Sequence, residues 1–286
     1  MKNGKSRPDS PSPKIHDRPL ILGHRGASAV APENTLAAFA FAIRDGADGI
    51  EFDVRLSRDG VPVVIHDASL KRTGKVDRLV SELLAHELSK TDVGSWFAGR
   101  GKSGARSFAG ERLPTLSQVL ELFTTNRGVL YIEMKCNPAE GATLAAEVVR
   151  LSQESLMADR VVVESFDLDA IAAVKKNDRE IRTAALFEPR LSRPLSTVRR
   201  LKMVDHALDV GADEIALHHT LVSPRIVEKA EQEGLEIVVW TVDNPQWIKR
   251  ALKLGIKALI ANDPGVMVRH RDQSSPGKGS LQNQVR

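Results

Sequence analysis

"LILGHRGASAVAPENTLAAFAFAIRDGADGIEFDVRL" (Leu20–Leu56) reads as strand, loop, helix, glycine joint and second strand. The apolar run Leu20-Ile21-Leu22 stops at Gly23 and delivers His24 and Arg25 to its tip. After Pro32-Glu33-Asn34-Thr35, the residues Leu36, Phe39, Ala40 and Ile43 recur at helical spacing, which predicts a helix. Gly46 suits a C-terminal cap before a parallel strand, and "GIEFDVRL" supplies that strand. A crossover this long points to parallel pairing, because antiparallel neighbours need only a short turn.

The same unit repeats along the chain. Strands are expected at "VLYIEMK", "RVVVESF", "RTAALFE", "DEIALHH", "EIVVWTV" and "KALIAND". Helices fit at "PAEGATLAAEVVRLSQES", "DLDAIAAVKKND", "STVRRLKMVDHALDV", "SPRIVEKAEQEG" and "NPQWIKRALKLG", with Gly211, Gly234 and Gly255 at helix–strand joints. Eight strands separated by helices match the arithmetic of an α/β (β/α)8 TIM barrel. An open, doubly wound sheet stays as the alternative, since alternation does not specify closure. One extra run, "VPVVIHD", follows the second strand too closely for a helical crossover, so Asp59-Gly60 predicts a β-hairpin with that strand. Residues 69–113 then form an insertion that holds one short helical piece, "VSELLAHELS", and the Gly-rich "GSWFAGRGKSGARSFAG".

A chain of 286 residues with 42% hydrophobic residues suits one globular domain, expected over residues 18–270. Residues 1–17 and 271–286 are basic, polar and rich in Pro, Ser or Gly, and read as disordered tails. No apolar run reaches the length of a membrane span, and no apolar leader follows the basic N-terminus. The single cysteine, Cys136, has no internal disulfide partner, which together with the missing leader implies a cytoplasmic location. A net charge of +4 is compatible with anionic substrates, peripheral contact with anionic lipid or nucleic acid, and selects none of them. The expected partner is a small-molecule phosphodiester and no nucleic acid. The oligomeric state is not specified.

In a barrel, chemistry collects at the carboxyl ends of the strands. Strand alternation points Glu51 and Asp53 the same way, with Ile50, Phe52 and Val54 outward. Glu133 and Lys135 repeat the pattern on the neighbouring strand. Converging buried carboxylates repel each other unless a cation joins them, and an all-oxygen set suits Mg2+ or Ca2+ rather than zinc. A two-residue turn at Asp59-Gly60 would set His66 roughly opposite Glu51. Arg25 and Lys135 suit the oxygens of a phosphate, and His24 with His66 suits proton transfer in both directions. Together these groups describe phosphodiester cleavage.

With "GHRGASAVAPENTLAAF", "GADGIEFDVRLSRDGVPVVIHD", "YIEMK", "VVVESFD" and "VVWTVD" in order, the chain resembles the glycerophosphodiester phosphodiesterase family over nearly all of its length between the tails. The resemblance implies a (β/α)8 barrel with an insertion over the substrate entrance. It implies His24 and His66 as the acid/base pair, Glu51, Asp53 and Glu133 as ligands of one divalent cation, and Arg25 and Lys135 as phosphate-binding residues. The reaction implied is hydrolysis of a glycerophosphodiester to sn-glycerol 3-phosphate and an alcohol, through a cyclic phosphate or by direct attack of water. Lysophospholipids are the alternative substrates, as for a lysophospholipase D-type enzyme. Two departures stand out: Ala261-Asn262-Asp263-Pro264 where the family usually has Thr then Asp or Asn, and a short segment after His66-Asp67.

Other readings compete at single positions. A structural ion-pair network is the competitor for the buried cluster, and it would be expensive without function. Glu33 is assigned to substrate binding, while Asn34 serves equally well as the N-cap of the following helix. Trp240 either lines the mouth of the site or packs. Ser165 lacks a nucleophile elbow, Cys136 points away from the Lys135 face, and "GRGKSG" lacks the strand and first glycine of a phosphate-binding loop. His218 and His219 close a strand and could reach the cavity. A metal-dependent sugar-phosphate lyase or isomerase and a non-catalytic phosphodiester-binding protein are the competing functions; the paired histidines and intact carboxylates oppose both.

Overall fold

The computed structural model describes residues 18–97, 107–189 and 197–274, with the side chains of 197–199 excepted. Nine strands form a single sheet: β1 (Leu20–His24), β2 (Gly49–Leu56), β3 (Pro62–Val64), β4 (Val129–Met134), β5 (Val161–Ser165), β6 (Arg182–Phe187), β7 (Glu214–His218), β8 (Glu236–Trp240) and β9 (Ala258–Ala261). All but β3 run parallel, in the order β1-β9-β8-β7-β6-β5-β4-β2, and β1 also pairs with β2. That last pairing closes the barrel and rules out the open sheet. Helices α1 (Leu36–Arg44), α2 (Ala85–Leu88), α3 (Leu116–Leu122), α4 (Gly141–Glu154), α5 (Leu168–Asn177), α6 (Thr197–Asp209), α7 (Pro224–Gln232), α8 (Gln246–Leu254) and α9 (Pro264–Ser274) complete the described elements.

Strand parity divides the side chains as the pleat requires. Ile50, Phe52 and Val54 of β2 face out and pack against Phe39 and Ala42 of α1 and against α3 and α4. Leu22, Tyr131, Val162, Ala184, Ala216, Val238 and Ala258 fill the barrel interior. At the base, Gly49 is dictated by contact: an added Cβ would lie 2.1 Å from the carbonyl oxygen of Val129.

Several local expectations need correction. Helix α1 buries Ala38, Phe39 and Ala42 and exposes Ala40. Its N-cap is Thr35, whose hydroxyl accepts from the Ala38 N–H, so Asn34 is free for another task. The β2–β3 connection is a loop from Ser57 to Val61, and the paired ladder runs only from Leu56↔Pro62 to Val54↔Val64. His66 therefore follows the hairpin instead of pairing with Glu51; the Arg55 Nε, which donates to the His66 carbonyl at 2.8 Å, pins it there. "VSELLAHELS" is broken into a 3-10 turn at Val80–Glu82 and the single turn α2. Helix α9 runs on to Ser274 and buries Arg271 against Asp48, past the expected boundary at 270. The "GRGKSG" string falls in residues 98–106, outside the described residues, as do residues 1–17 and 275–286.

Candidate active site

A strained turn begins the site. Arg25 has φ of 53° and Gly26 φ of 81°, two left-handed residues in succession at the end of β1. Gly26 is required there, since a Cβ would meet the Ala38 backbone at 2.6 Å. A non-glycine residue in this region costs about 1–3 kcal/mol and persists only where its surroundings hold it. Here the Arg25 N–H donates to Glu51 Oε2 at 3.0 Å, its guanidinium donates to Glu33 Oε1 at 2.8 Å, and its Nε lies 3.2 Å from Asp53 Oδ2. The turn thus brings a guanidinium back over the end of β2.

Glu51 and Asp53 on β2 and Glu133 on β4 are all buried, and each offers a carboxylate oxygen within 4.8 Å of the other two. Lys135 Nζ lies 2.6 Å from Glu133 Oε1 and 3.4 Å from Asp53 Oδ1. Asn34 Nδ2 donates to Asp53 Oδ2 at 2.8 Å. Burial opposes charge on Asp53, yet Arg25 and Lys135 hold its carboxyl below the ordinary value. Burial and then the neighbouring carboxylates push Glu51 well up, and the same causes raise Glu133. Asp53 Oδ1 and Glu133 Oε1 are buried with the Lys135 ammonium as their shared charged neighbour. Three crowded carboxylates that share so little positive charge fit a hard divalent cation, which would offset the burial and the mutual repulsion that oppose their ionisation.

Two imidazoles flank this cluster. His24 Nδ1 lies 2.7 Å from Asn262 Oδ1, and its Nε2 is 3.9 Å from Glu51 Oε2. Asn262 donates from Nδ2 to Asp243 Oδ2 at 2.7 Å and from its backbone N–H to Asp243 Oδ1 at 2.8 Å. Its amide oxygen is thereby turned to His24, whose Nδ1 must be the donor. Burial, then the Arg25 charge, lowers the His24 imidazole to about 4. His66 Nδ1 lies 2.7 Å from Asp67 Oδ1, and Arg72 Nε donates to the other oxygen at 2.6 Å. Burial lowers His66 as well, with the Asp67 hydrogen bond acting in the opposite sense.

A cavity of about 220 Å³ is lined by His24, Arg25, Glu51, His66, Glu133 and Lys135 on one side and by Glu164, Phe166, Leu186, Glu188, Trp240 and Ile260 on the other. Trp240 lines it and packs at once: its ring meets Phe166 edge-on at 5.6 Å and its Nε1 donates to the Ala216 carbonyl. Asp53 sits just beneath. Glu33 is different from its expected role. Its carboxylate receives Arg25 at 2.8 Å and both terminal nitrogens of Arg72 at 2.7 Å, and it does not line the cavity. Its task is to hold two arginines. Asn34, with φ of 58°, braces Asp53 instead of capping α1.

Sequence reasoning left two residues of this site without a role. Glu164 shares inward parity with Val162, and Asn262 follows β9 at the parity of Ile260; strand alternation was the signal for both. His218 and His219 stack on each other beside Trp240 and do not line the cavity. Ser165 faces outward, its hydroxyl donating to the Met134 carbonyl. Cys136 is half-buried against the outer core, where burial raises its thiol to about 11. Among the described residues, no helix is long and apolar enough to cross a membrane.

Comparison with known proteins follows the same lines. A sequence model of the Glycerophosphoryl diester phosphodiesterase family matches residues 24–266. A glycerophosphodiester phosphodiesterase of Caldanaerobacter subterraneus subsp. tengcongensis is 32% identical over 251 residues, which are 87% of this chain and 96% of that protein. The crystal structure of a glycerophosphodiester phosphodiesterase from Agrobacterium tumefaciens superposes with a TM-score of 0.71 at 29% identity, covering 88% of this chain and 99% of that one. A phosphodiesterase of Oleispira antarctica, solved with the product sn-glycerol-3-phosphate, shares the fold with a TM-score of 0.77 at 24% identity, over 89% of this chain and 97% of that one.

Proposed function

The chain belongs to the glycerophosphoryl diester phosphodiesterase family, whose members are phosphoric diester hydrolases acting on glycerophosphodiesters, and we propose that His24 is its general base and His66 its general acid. The observation that carries this reading is one cavity lined by both imidazoles, both phosphate-binding cations and two of the three clustered carboxylates. The substrate's phosphate lies between Arg25 and Lys135, whose charges match its oxygens. Glu51, Asp53 and Glu133 hold one divalent cation, Mg2+ or Ca2+, which when bound polarises the phosphoryl group and offsets its charge.

His24 is neutral at pH 7 because burial and Arg25 hold it near 4, so its Nε2 carries a lone pair. That nitrogen takes the proton of the attacking oxygen, whether water or a hydroxyl of the substrate itself. His66, backed by Asp67, bears a proton on Nε2 in its charged form and gives it to the departing alkoxide. The P–O bond to the alcohol breaks as the new P–O bond forms. Attack by water gives sn-glycerol 3-phosphate and the alcohol directly. Attack by a substrate hydroxyl gives the alcohol and a cyclic phosphate, whose ring P–O bond water then opens to sn-glycerol 3-phosphate. In that second step His66 takes the water's proton and His24 returns its own to the ring oxygen. Residues 18–274, the last helix included, act as one catalytic domain.

The test is release of glycerol 3-phosphate from glycerophosphocholine by chelator-stripped protein as Mg2+ or Ca2+ is returned. Activity should return with the metal, and His24→Ala or His66→Ala should each lower kcat by about 10²–10⁴-fold in folded protein. Full turnover in either variant would overturn the acid/base assignment. Turnover of lysophospholipids instead would move the reading to the lysophospholipase D-type alternative.

A further inference from the structure

Glu164 stands on β5 beside Glu133, with which it is in register, and its side chain points into the barrel mouth. It is 1% exposed, and its Oε2 is buried with no hydrogen-bond partner. It is not one of the three carboxylates whose oxygens lie within 4.8 Å of one another, so it stands apart from the candidate cation cluster. The cavity wall on its own side is apolar where Leu186 and Ile260 line it. Buried polar atoms are nearly always satisfied, and leaving one unpaired costs about 1–3 kcal/mol. A partner that arrives with the substrate removes that cost, and the phosphate is already matched by Arg25 and Lys135 on the other side of the cavity, which leaves Glu164 to the rest of the substrate.

We propose that Glu164 is a specificity-determining residue that hydrogen-bonds a free hydroxyl of the substrate's glyceryl group, so that the cavity distinguishes glyceryl phosphodiesters from alkyl ones. This inference rests on the family reading above and adds the residue that reads the glycerol. Either protonation state of the carboxyl completes the bond, since a hydroxyl both donates and accepts. Trp240 and Phe166 supply an apolar wall for the carbon chain, and of the two acids on that side Glu188 is exposed while Glu164 is buried, so the polar edge of the glycerol falls to Glu164.

The experiment compares binding of sn-glycerol 3-phosphate and n-propyl phosphate by calorimetry. The proteins are the full chain, Glu164→Gln and Glu164→Leu, each with Mg2+ or Ca2+ present, and glycerophosphocholine turnover is followed in parallel. The unaltered protein should prefer glycerol 3-phosphate by about 10- to 100-fold, the Gln variant should keep most of that preference, and the Leu variant should lose at least tenfold of it. If the Leu variant does not fold by circular dichroism, Glu164→Met takes its place. An unchanged preference in the apolar variant, or none in the unaltered protein, overturns the assignment. Turnover that persists with an unchanged preference sinks this inference alone. Absent turnover in the unaltered protein sinks the family-level reading, and the binding ratio still decides the role of Glu164.

Discussion

Asn262 decides which nitrogen of His24 faces the cavity. Both oxygens of Asp243 are occupied by N–H groups of Asn262, so the amide oxygen has only His24 and the Ser28 hydroxyl before it. The imidazole is then a donor at Nδ1 and an acceptor at Nε2, the form a base requires. The Ala261-Asn262 departure, which left the last strand without a role at the level of sequence, is where the His24 imidazole, the base in our proposal, is oriented. Asn262→Leu should leave substrate KM within a few-fold and lower kcat by about 10²-fold, because a small misplacement of a catalytic group costs that much. Nitrogen NMR of the variant should find His24 no longer in a single tautomer. An unchanged kcat would mean that packing alone orients the ring.

One side chain of the insertion reaches both corners of the site. Arg72 donates to both oxygens of Glu33 at 2.7 Å and to Asp67 at 2.6 Å, and its guanidinium lies 5.7 Å from the Trp96 ring. It thereby links the turn that carries Arg25 to the corner that carries His66. Burial opposes charge on Asp67, but Arg72 and His66 hold it at about 2, and Arg72 with Arg25 lowers Glu33 also. Carboxyls depressed in the folded state contribute stability that is complete above their unfolded values, about 4, and is lost as pH falls through the folded ones. Arg72→Met should therefore melt below the unaltered protein at pH 7, by roughly 1–4 °C for a half-exposed pair worth about 0.5–1 kcal/mol. That gap should close between pH 4 and pH 2 in a series of thermal melts; a constant gap would assign the loss to packing. None of this was legible in the chain, because Arg72 and Glu33 are far apart in sequence and only the fold brings them together. The barrel strands were legible from β-branched runs and helix–glycine joints. Helix α3 had its sign too, the Thr115–Gln118 capping box before Leu116, Val119 and Leu120, but it is only seven residues long. Helix α9 hid behind polar composition, since nothing local reveals that Arg271 is buried on Asp48.

The two ends of the barrel carry buried charge in opposite conditions. At the amino end, Glu214 is fully buried and saturated: it accepts from the Tyr131 hydroxyl at 2.7 Å, from Arg182 at 2.9 Å and from Lys257 at 2.6 Å. At the carboxyl end, Glu164 Oε2 is buried and lacks a hydrogen bond, while Asp53 Oδ1 and Glu133 Oε1 crowd around one ammonium, that of Lys135. A network built for stability satisfies its members, whereas a site built to receive a ligand leaves them open, and barrels place function at the carboxyl end. The contrast predicts opposite outcomes for two buried glutamates. Glu214→Ala should cost about 2–3 kcal/mol by leaving the buried Tyr131 hydroxyl unpaired and Arg182 and Lys257 with Glu236 as their one shared carboxylate, yet leave kcat per folded molecule unchanged. Glu51→Gln should hardly change the melting temperature of metal-free protein, because burial and its acidic neighbours oppose charge on that carboxyl and the uncharged amide has nearly the same shape. In the unaltered protein, Mg2+ or Ca2+ at about 100 times its dissociation constant should raise the melting temperature by roughly 5–10 °C. The Glu51 variant should lose most of that rise together with its turnover. Thermal melts of both variants with and without metal check the pair, and a metal-induced rise that survives Glu51→Gln would remove Glu51 from the cation site.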